Sequence, residues 1–312
     1  MSKVDIVIVN WNGLAYCQSL LPQIRDSLDE EIRTVTIVDN ASSDGSGEYI
    51  KAFHPWVNLV QSPENVGYAR GNNLALPYCK AKYILFLNND TEICDESLLA
   101  KLVRHCERDS TIGAISPLLN LKNGQFQTGA GGYDRGLNSF LSYFLGLSRI
   151  SPKRAKPFYV DQSRYADSAI PVELDWVTGA AVLMRNDVVQ RINGWPDDYF
   201  MYAEDVKVCR SIRAMGYKIC LAPSCRIVHF HGGTEDKTQV STRWIDSTLG
   251  EYAYRKGRIR GKVAAGIFFV GFCLRWFFYS VKSLLRSDLT AASARKRMRL
   301  YALAAMRFAY QN

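Results

Sequence analysis

The sequence contains no Cys-x-x-Cys pair. Its eight cysteines stand singly at positions 17, 79, 94, 106, 209, 220, 225 and 273, which argues against a zinc cluster or a disulfide framework and suits a reducing cytosol. No Gly-x4-Gly-Lys-Ser/Thr occurs, so P-loop chemistry is excluded. No long low-complexity tract and no internal repeat is present. Histidine is scarce, with four in 312 residues. Met1-Ser2-Lys3 leads straight into a strand-like run, and no secretory signal is expected. Acid is scarce in one place only. Residues 255–312 hold 13 Lys and Arg against the single acid Asp288, a net +12, whereas residues 1–254 carry 26 basic and 29 acidic groups, a net −3. The overall +9 therefore lies wholly in the tail, where an anionic membrane surface or nucleic acid is the partner such charge implies.

What is present is a chain 47% hydrophobic, long enough for one large α/β domain with an appendage, or for two domains. The organising stretch is Tyr83-Ile84-Leu85-Phe86-Leu87-Asn88-Asn89-Asp90-Thr91. Five apolar or aromatic residues stop at three polar ones, as in a strand buried on both faces. Val4–Val9, Thr34–Val38, Val57–Gln61 and Ile112–Ser116 are further strands, and Trp176–Met184 is one more. Helices are expected over Leu14–Leu28, Ser46–Phe53, after Asn73 to about Cys79, from Asp95 or Glu96 to about Glu107, and over Glu204–Met215. This alternation predicts a mostly parallel, doubly wound α/β sheet. Between about Asn120 and Val172 the pattern loosens, and loops with short strands are expected there. Ile219–Ala222 and Arg226–Val228 complete the count as two short strands.

Ligands of such sheets bind at the carboxyl ends of the strands. There lie Asn10-Trp11-Asn12-Gly13, the loop from Asp39, and Asn88-Asn89-Asp90. One carboxylate with two amides can hold a hard divalent cation, or else form a simple turn. Asp39 can accept from a pyrimidine ring N–H or cap a helix, and Trp11 can lie against a base. Arg70 can meet a phosphate or remain solvated. Asp205 shares a helix face with Val208, Ile212 and Met215, which turns it inward. There it can serve as a general base, or act as a first-turn acid. His229 and His231 point to one face of a strand, and one of them could join Asp90 on a metal.

Val7-Ile8-Val9-Asn10-Trp11-Asn12-Gly13, Val38-Asp39-Asn40-Ala41-Ser42, Glu64-Asn65-Val66-Gly67-Tyr68-Ala69-Arg70-Gly71-Asn72-Asn73 and Leu87-Asn88-Asn89-Asp90-Thr91 resemble the motifs of family 2 glycosyltransferases of the GT-A fold. So do Trp176-Val177-Thr178-Gly179-Ala180 and Tyr202-Ala203-Glu204-Asp205-Val206. The matches run in the family's order over residues 4–235 and are most similar to bacterial rhamnosyltransferase-like enzymes of polysaccharide and O-antigen assembly. The resemblance implies an inverting, Mg2+- or Mn2+-dependent transfer from a nucleotide-diphosphate-sugar to a glycan or lipid-linked saccharide. It implies a nucleotide-sugar site of Asn10, Trp11, Asn12, Asp39, Asn65, Gly67, Arg70, Asn88, Asn89 and Gly179. It further implies a metal held by Asp90 and His229, and Asp205 as base beside Glu204. Asn88 stands where the family's Asp-x-Asp motif has its first aspartate.

We accordingly expect a catalytic domain over residues 1–240, with a nucleotide-binding half at 1–118 and an acceptor half at 119–240. A helical extension over 241–312 follows. In it, Val263–Leu274 is an apolar run of 12 residues, short of the ~20 of a transmembrane helix. Basic and aromatic residues flank it. We expect residues 255–290 to lie on the inner face of the cytoplasmic membrane, with packing on the catalytic domain or on a second copy of the chain as the alternative, and no nucleic acid partner. Two rival functions remain. A sugar-phosphate nucleotidyltransferase would carry a Gly-rich loop where Asn10–Gly13 stands. A non-catalytic, membrane-associated nucleotide-sugar-binding scaffold would not need Asp39, Asp90 and Asp205 intact.

Overall fold

The computed structural model describes residues 3–26, 31–151, 154–198, 203–230, 241–286 and 289–311. Contacts divide the chain into two compact units, Met1–Gly132 with Val160–Glu235, and Tyr133–Tyr159 with Asp236–Asn312. The strands are β1 (Val4–Asn10), β2 (Ile32–Asp39), β3 (Asn58–Gln61), β4 (Tyr83–Leu87), β5 (Thr91–Glu92), β6 (Ile112–Asn120), β7 (Gly131–Gly132), β8 (Val172–Leu174), β9 (Trp176–Val177), β10 (Ala181–Arg185) and β11 (Lys218–His229). The helices are α1 (Leu14–Asp26), α2 (Ser46–Phe53), α3 (Gly67–Ala75), α4 (Leu98–Arg108), α5 (Leu137–Leu145), α6 (Leu147–Ile150), α7 (Asn186–Arg191), α8 (Glu204–Ala214), α9 (Arg243–Lys256), α10 (Arg258–Arg286) and α11 (Leu289–Gln311).

The first unit is a mixed, mostly parallel sheet in the order β3-β2-β1-β4-β10-β6-β11-β5, with β8 on β11. β1 to β4 run parallel, and so do β6 and β11. β10 enters antiparallel between β4 and β6. All five residues of β4 are buried, as a branched and aromatic run without a polar face requires. The register sets Asn10 opposite Asp39, so two polar strand ends arrive level. Helix α4 buries Leu98, Leu99, Leu102, Val103 and Cys106, which form one stripe at helical spacing. Helix α3 approaches β1 closely because residue 71 is glycine. A Cβ there would stand 2.9 Å from Val9 Cγ1.

The second unit is built on a cluster of rings. Phe140 of α5 stands edge-on to Phe158, Tyr252 and Phe268, with centroids 5.2, 5.3 and 5.0 Å away, a favoured aromatic geometry. Ala264, Ala265, Phe268 and Phe272 of α10 bury themselves here with Ile245 and Leu249 of α9 and Ala305 and Phe308 of α11.

Four expectations change. Trp176–Met184 is not one strand: the chain turns at Thr178–Ala180 and divides it into β9 and β10. Gly179 permits that turn against the protein, since a Cβ would stand 2.8 Å from the Tyr68 hydroxyl. The two short strands after Ile219 are one strand, β11, with an irregularity between Ala222 and Arg226. The loosely patterned segment holds a helix, α5, whose apolar face is completed by α10, distant in sequence. The 12-residue apolar run is part of one 29-residue helix, α10. Arg275 does not interrupt it. The guanidinium lies 4.3 Å from the Tyr143 ring centroid, and Nη2 donates to the Tyr143 carbonyl at 3.1 Å.

Because Gly71 seats α3 on β1, Gly71→Ala should destabilise the protein by about 1–3 kcal/mol through overpacking. Urea denaturation followed by tryptophan fluorescence measures this. An unchanged midpoint would mean that Val9 moves aside without strain.

Candidate active site

Asn10 ends β1 and is completely buried. Its Nδ2 lies 3.2 Å from Asp39 Oδ1, 3.1 Å from Ser42 Oγ and 2.8 Å from Ser46 Oγ. Its Oδ1 accepts from Asn89 Nδ2 at 2.8 Å and from Cys17 Sγ at 3.2 Å. One amide thus ties together the ends of β1, β2 and β4. Its polar atoms are all engaged by protein groups, so Asn10 is placed to brace the site rather than to face a ligand, as the resemblance implied. Gly13 is required beside it, because a Cβ would come 2.5 Å from Asn10 Oδ1.

Trp11 and Asn12 project on the adjoining loop, and Trp11 is 42% exposed. Asn12 has φ 49°, a left-handed conformation that asparagine tolerates. Its N–H donates to Ser42 Oγ at 2.9 Å and its Oδ1 accepts from the Ser43 N–H at 2.8 Å. Asp44 Oδ2 accepts from the Leu14 N–H at the start of α1 at 2.8 Å. Burial alone would raise the Asp44 pKa, but bonds from Ser46 and Leu14 outweigh it and hold the carboxyl below its usual range. Asn65 Oδ1 accepts from Asn40 Nδ2 at 2.9 Å and from the Gly67 N–H at 3.0 Å, so the Asn65–Gly67 loop is fastened beside Asp39.

The strand-end triplet divides. Asn89 turns inward to Asn10. Asn88 and Asp90 turn instead to His229 at the end of β11. His229 Nε2 lies 3.1 Å from Asp90 Oδ1 and 3.4 Å from Asn88 Nδ2, and His229 Nδ1 lies 2.7 Å from Gln127 Oε1. Asp90 and His229 are the side chains here able to take a divalent cation. No group of three or more His, Cys, Asp or Glu stands ready for a metal among the described residues. A pair of protein ligands suits an ion that keeps waters and takes substrate phosphates. His231 lies outside the described residues.

Glu204 and Asp205 open α8. Glu204 is buried and Asp205 half-buried, the reverse of the order expected from apolar spacing. Glu204 folds back so that its Oε2 accepts from the Ala203 N–H at 2.8 Å. Asp205 Oδ1 accepts from the Val206 N–H at 2.8 Å. Tyr68 brings this helix into relation with the strand ends. Its hydroxyl donates to the Gly179 carbonyl at 2.6 Å. Its pKa is pushed far up by burial, then by the charges of Glu204, Asp205 and Asp90. Trp195 packs edge-on to Tyr68, with centroids 5.3 Å apart. It is fixed by Asn73, whose side chain bonds both the Trp195 N–H and its carbonyl at 2.8 Å.

Arg70 is exposed and bridges to exposed Asp197 at 3.2 Å, a pair of little energetic weight. Gly179 is buried, with Tyr68 and Trp195 filling the space where a side chain would go, so its placement is structural. The sequence reading did not single out Gln127 or Asn73 as individual residues. Asn73 ends the Glu64–Asn73 stretch. Gln127 sits in the irregular segment and had no signal.

Asn10→Asp should set a carboxylate against Asp39 Oδ1 and remove the N–H donor that Asp39, Ser42 and Ser46 share, while an oxygen at position 10 still accepts from Asn89. A loss of about 1–3 kcal/mol is expected near pH 7. The introduced carboxyl has its pKa raised in the folded state. The variant's deficit should therefore grow as pH rises through that range and shrink in acid. Thermal midpoints from pH 4 to pH 8 test this, and a deficit independent of pH would contradict the assigned contact.

Residues 5–132 match the family model of glycosyl transferase family 2. Rhamnosyltransferase WbbL of Escherichia coli (strain K12) is 27% identical over 269 residues, 81% of this chain and 93% of that protein. N-acetylglucosaminyl-diphospho-decaprenol L-rhamnosyltransferase of Mycobacterium tuberculosis is 24% identical over 237 residues, 72% of this chain and 75% of that protein. Mannosyltransferase PcManGT from Pyrobaculum calidifontis, solved in complex with GDP-Man and Mn2+, matches with a TM-score of 0.62 at 17% identity, over 99% of this chain and 87% of that one. At that identity the likeness speaks for the fold, which is the GT-A arrangement of a curled, mostly parallel sheet. The matched domain, the fold and the relatives agree: residues 5–132 carry a glycosyl transferase family 2 domain, and the chain is a nucleotide-sugar-dependent glycosyltransferase similar to rhamnosyltransferases.

Proposed function

We propose that the chain transfers a sugar, rhamnose by analogy with the relatives, from a nucleotide-diphosphate-sugar to a hydroxyl of a glycan or lipid-linked saccharide, with inversion. The observation that carries this reading is the Asn10 amide's joining of the ends of β1, β2 and β4, which sets Asp39, Trp11 and Asn88–Asp90 at one edge of the sheet with Asp90 3.1 Å from His229. In this reading Asp39 accepts from a ring N–H of the nucleobase and Trp11 lies against the ring. Asn65, Gly67 and Arg70 border the rest of the nucleotide. Asp90 and His229, flanked by Asn88, would hold a divalent cation, Mg2+ or Mn2+. When bound, such an ion offsets the charge that develops on the leaving diphosphate.

Asp205 is the base in this scheme. It is the less buried of the two acids, and the amino end of α8 favours its ionised form. It takes the acceptor hydroxyl's proton as that oxygen bonds to the anomeric carbon. The bond from that carbon to the diphosphate oxygen breaks on the opposite face, and the diphosphate leaves with the electron pair. Glu204, held to its own helix end, shapes the site. Asp205→Asn should lower turnover by about 10²–10⁴ while calorimetry with the donor changes little. Glu204→Gln should be milder in turnover. Full activity in Asp205→Asn would remove the base from this scheme.

We further propose that the second unit lies on an anionic membrane at the cytoplasmic face. Helix α10 packs Ala264, Ala265, Phe268 and Phe272 inward, while Val263, Val270, Leu274, Phe277, Val281 and Leu284 remain exposed at heptad-like spacing. Arg258–Leu284 is also long and apolar enough to cross a membrane by length and composition alone. Trp276 and Phe278 are exposed as well; the burial of one face of the helix's amino half favours an in-plane position, with the 13 basic groups of residues 255–312 drawn to anionic headgroups. Because Tyr133–Tyr159 belongs to this unit, substitution is a cleaner test than truncation. The full-length triple variant Leu274→Asn, Phe277→Asn, Val281→Asn should lose flotation with anionic vesicles. Flotation equal to the parent's would refute the assignment. Loss of parental binding in high salt would show that charge outweighs apolar burial.

A further inference from the structure

We propose that Gln127 is a positioning residue for His229. Its side-chain carbonyl holds the imidazole with its proton on Nδ1, so that the Nε2 lone pair faces Asp90. The inference rests on the reading of Asp90 and His229 as a cation-holding pair and adds to it the group that prepares the histidine.

Gln127, His229 and Asp90 are all buried, with exposures of 5%, 5% and 7%. Gln127 Oε1 lies 2.7 Å from His229 Nδ1. A carbonyl oxygen only accepts, so this contact places a proton on Nδ1. In a neutral ring Nε2 is then bare, and the Asn88 amide at 3.4 Å is placed to donate to it. The same lone pair faces Asp90 Oδ1 at 3.1 Å. Two acceptors at that distance need a positive centre between them. A cation supplies it, and the Nδ1–H bond to Gln127 is kept.

The opposite amide orientation would have the opposite effect. An NH2 group donating to Nδ1 would send the ring proton to Nε2, where it would bond Asp90 and compete with a cation. The glutamine's geometry is set by backbone. Asn120 and Phe126 form an antiparallel bridge beyond β6, and the Gln127 N–H donates to the Leu119 carbonyl at 2.8 Å. The segment is thereby returned along β6, beside the strand that carries His229. A group that orients a metal-binding histidine through its other nitrogen typically matters by about 10–100-fold in metal affinity.

The test uses the full-length protein, Mn2+ alone as the probe, and two readouts. Electron paramagnetic resonance titration gives the Mn2+ affinity. Long-range 15N–1H correlation spectra of the metal-free protein give the tautomer, with His229→Asn identifying the resonances. Gln127→Met, which keeps the volume and removes the acceptor, should weaken Mn2+ binding about 10–100-fold and abolish the Nδ1–H signature. Gln127→Glu, which keeps an acceptor oxygen, should preserve both, and circular dichroism confirms that each variant is folded. Parental Mn2+ affinity in Gln127→Met, or an Nε2–H tautomer in the metal-free parent, would overturn the inference. If His229→Asn leaves Mn2+ binding intact, the cation-pair reading fails, and the tautomer measurement still decides the role of Gln127.

Discussion

The polar end of the first unit depends on one buried amide. Asn10 has two N–H donors and three oxygen acceptors around them, on Asp39, Ser42 and Ser46. The donors must be shared, so the amide draws the three oxygens into one place rather than saturating each. Its own oxygen is claimed by Asn89 and Cys17. Burial makes this arrangement strict, because an unmatched polar atom without water costs about 1–3 kcal/mol. The parallel register that sets Asn10 opposite Asp39 is therefore fixed by side chains as well as by the ladder. The loop with Trp11, the Asp39 strand end and the turn into Asp90 cannot shift independently.

A second constraint is electrostatic. Glu204, Asp205 and Asp90 all bear on the Tyr68 hydroxyl, and like charges gathered in a partly buried space oppose one another. The protein offsets this locally. Glu204 and Asp205 each accept a backbone N–H at the start of α8, where the helix end favours anions. Asp90 has His229 beside it. Tyr68 is kept protonated chiefly by its burial and donates to Gly179, which secures the turn between β9 and β10.

How much of this the sequence disclosed follows from the range of the interactions. Continuous apolar runs such as Tyr83–Leu87 are local and marked their strands. The polar residues that follow them marked the site, because strand ends are where chains turn. Which way those residues face was not legible. Asn89 and Asp90 are neighbours, yet one bonds Asn10 and the other His229, and only the meeting of β4, β1 and β11 decides that. Apolar spacing along α8 placed Asp205 inward and missed that Glu204 is the deeper acid, because the helix begins inside the protein and buries its first turn from the end. Helix α5 and Gln127 were hidden for a related reason. Their partners, α10 and His229, are distant in sequence, and neither segment carries a period of its own strong enough to announce it.

Asn88 sets the character of the candidate metal site. A carboxylate in its place would put a second negative charge beside Asp90 and next to His229 Nε2. The amide contributes none and turns its Nδ2 toward that nitrogen at 3.4 Å. The protein's own field at this point is then that of one carboxylate and one imidazole, a weak attraction for a hydrated divalent ion that gives up its waters reluctantly. The remaining negative charge has to come from the diphosphate of the donor. In the proposed reaction, cation and donor therefore bind as linked events, each raising the affinity of the other by the same factor. A buried histidine whose lone pair is already oriented lowers what must be reorganised when that happens, which is why the group on its far nitrogen bears on the site as much as the ligands themselves.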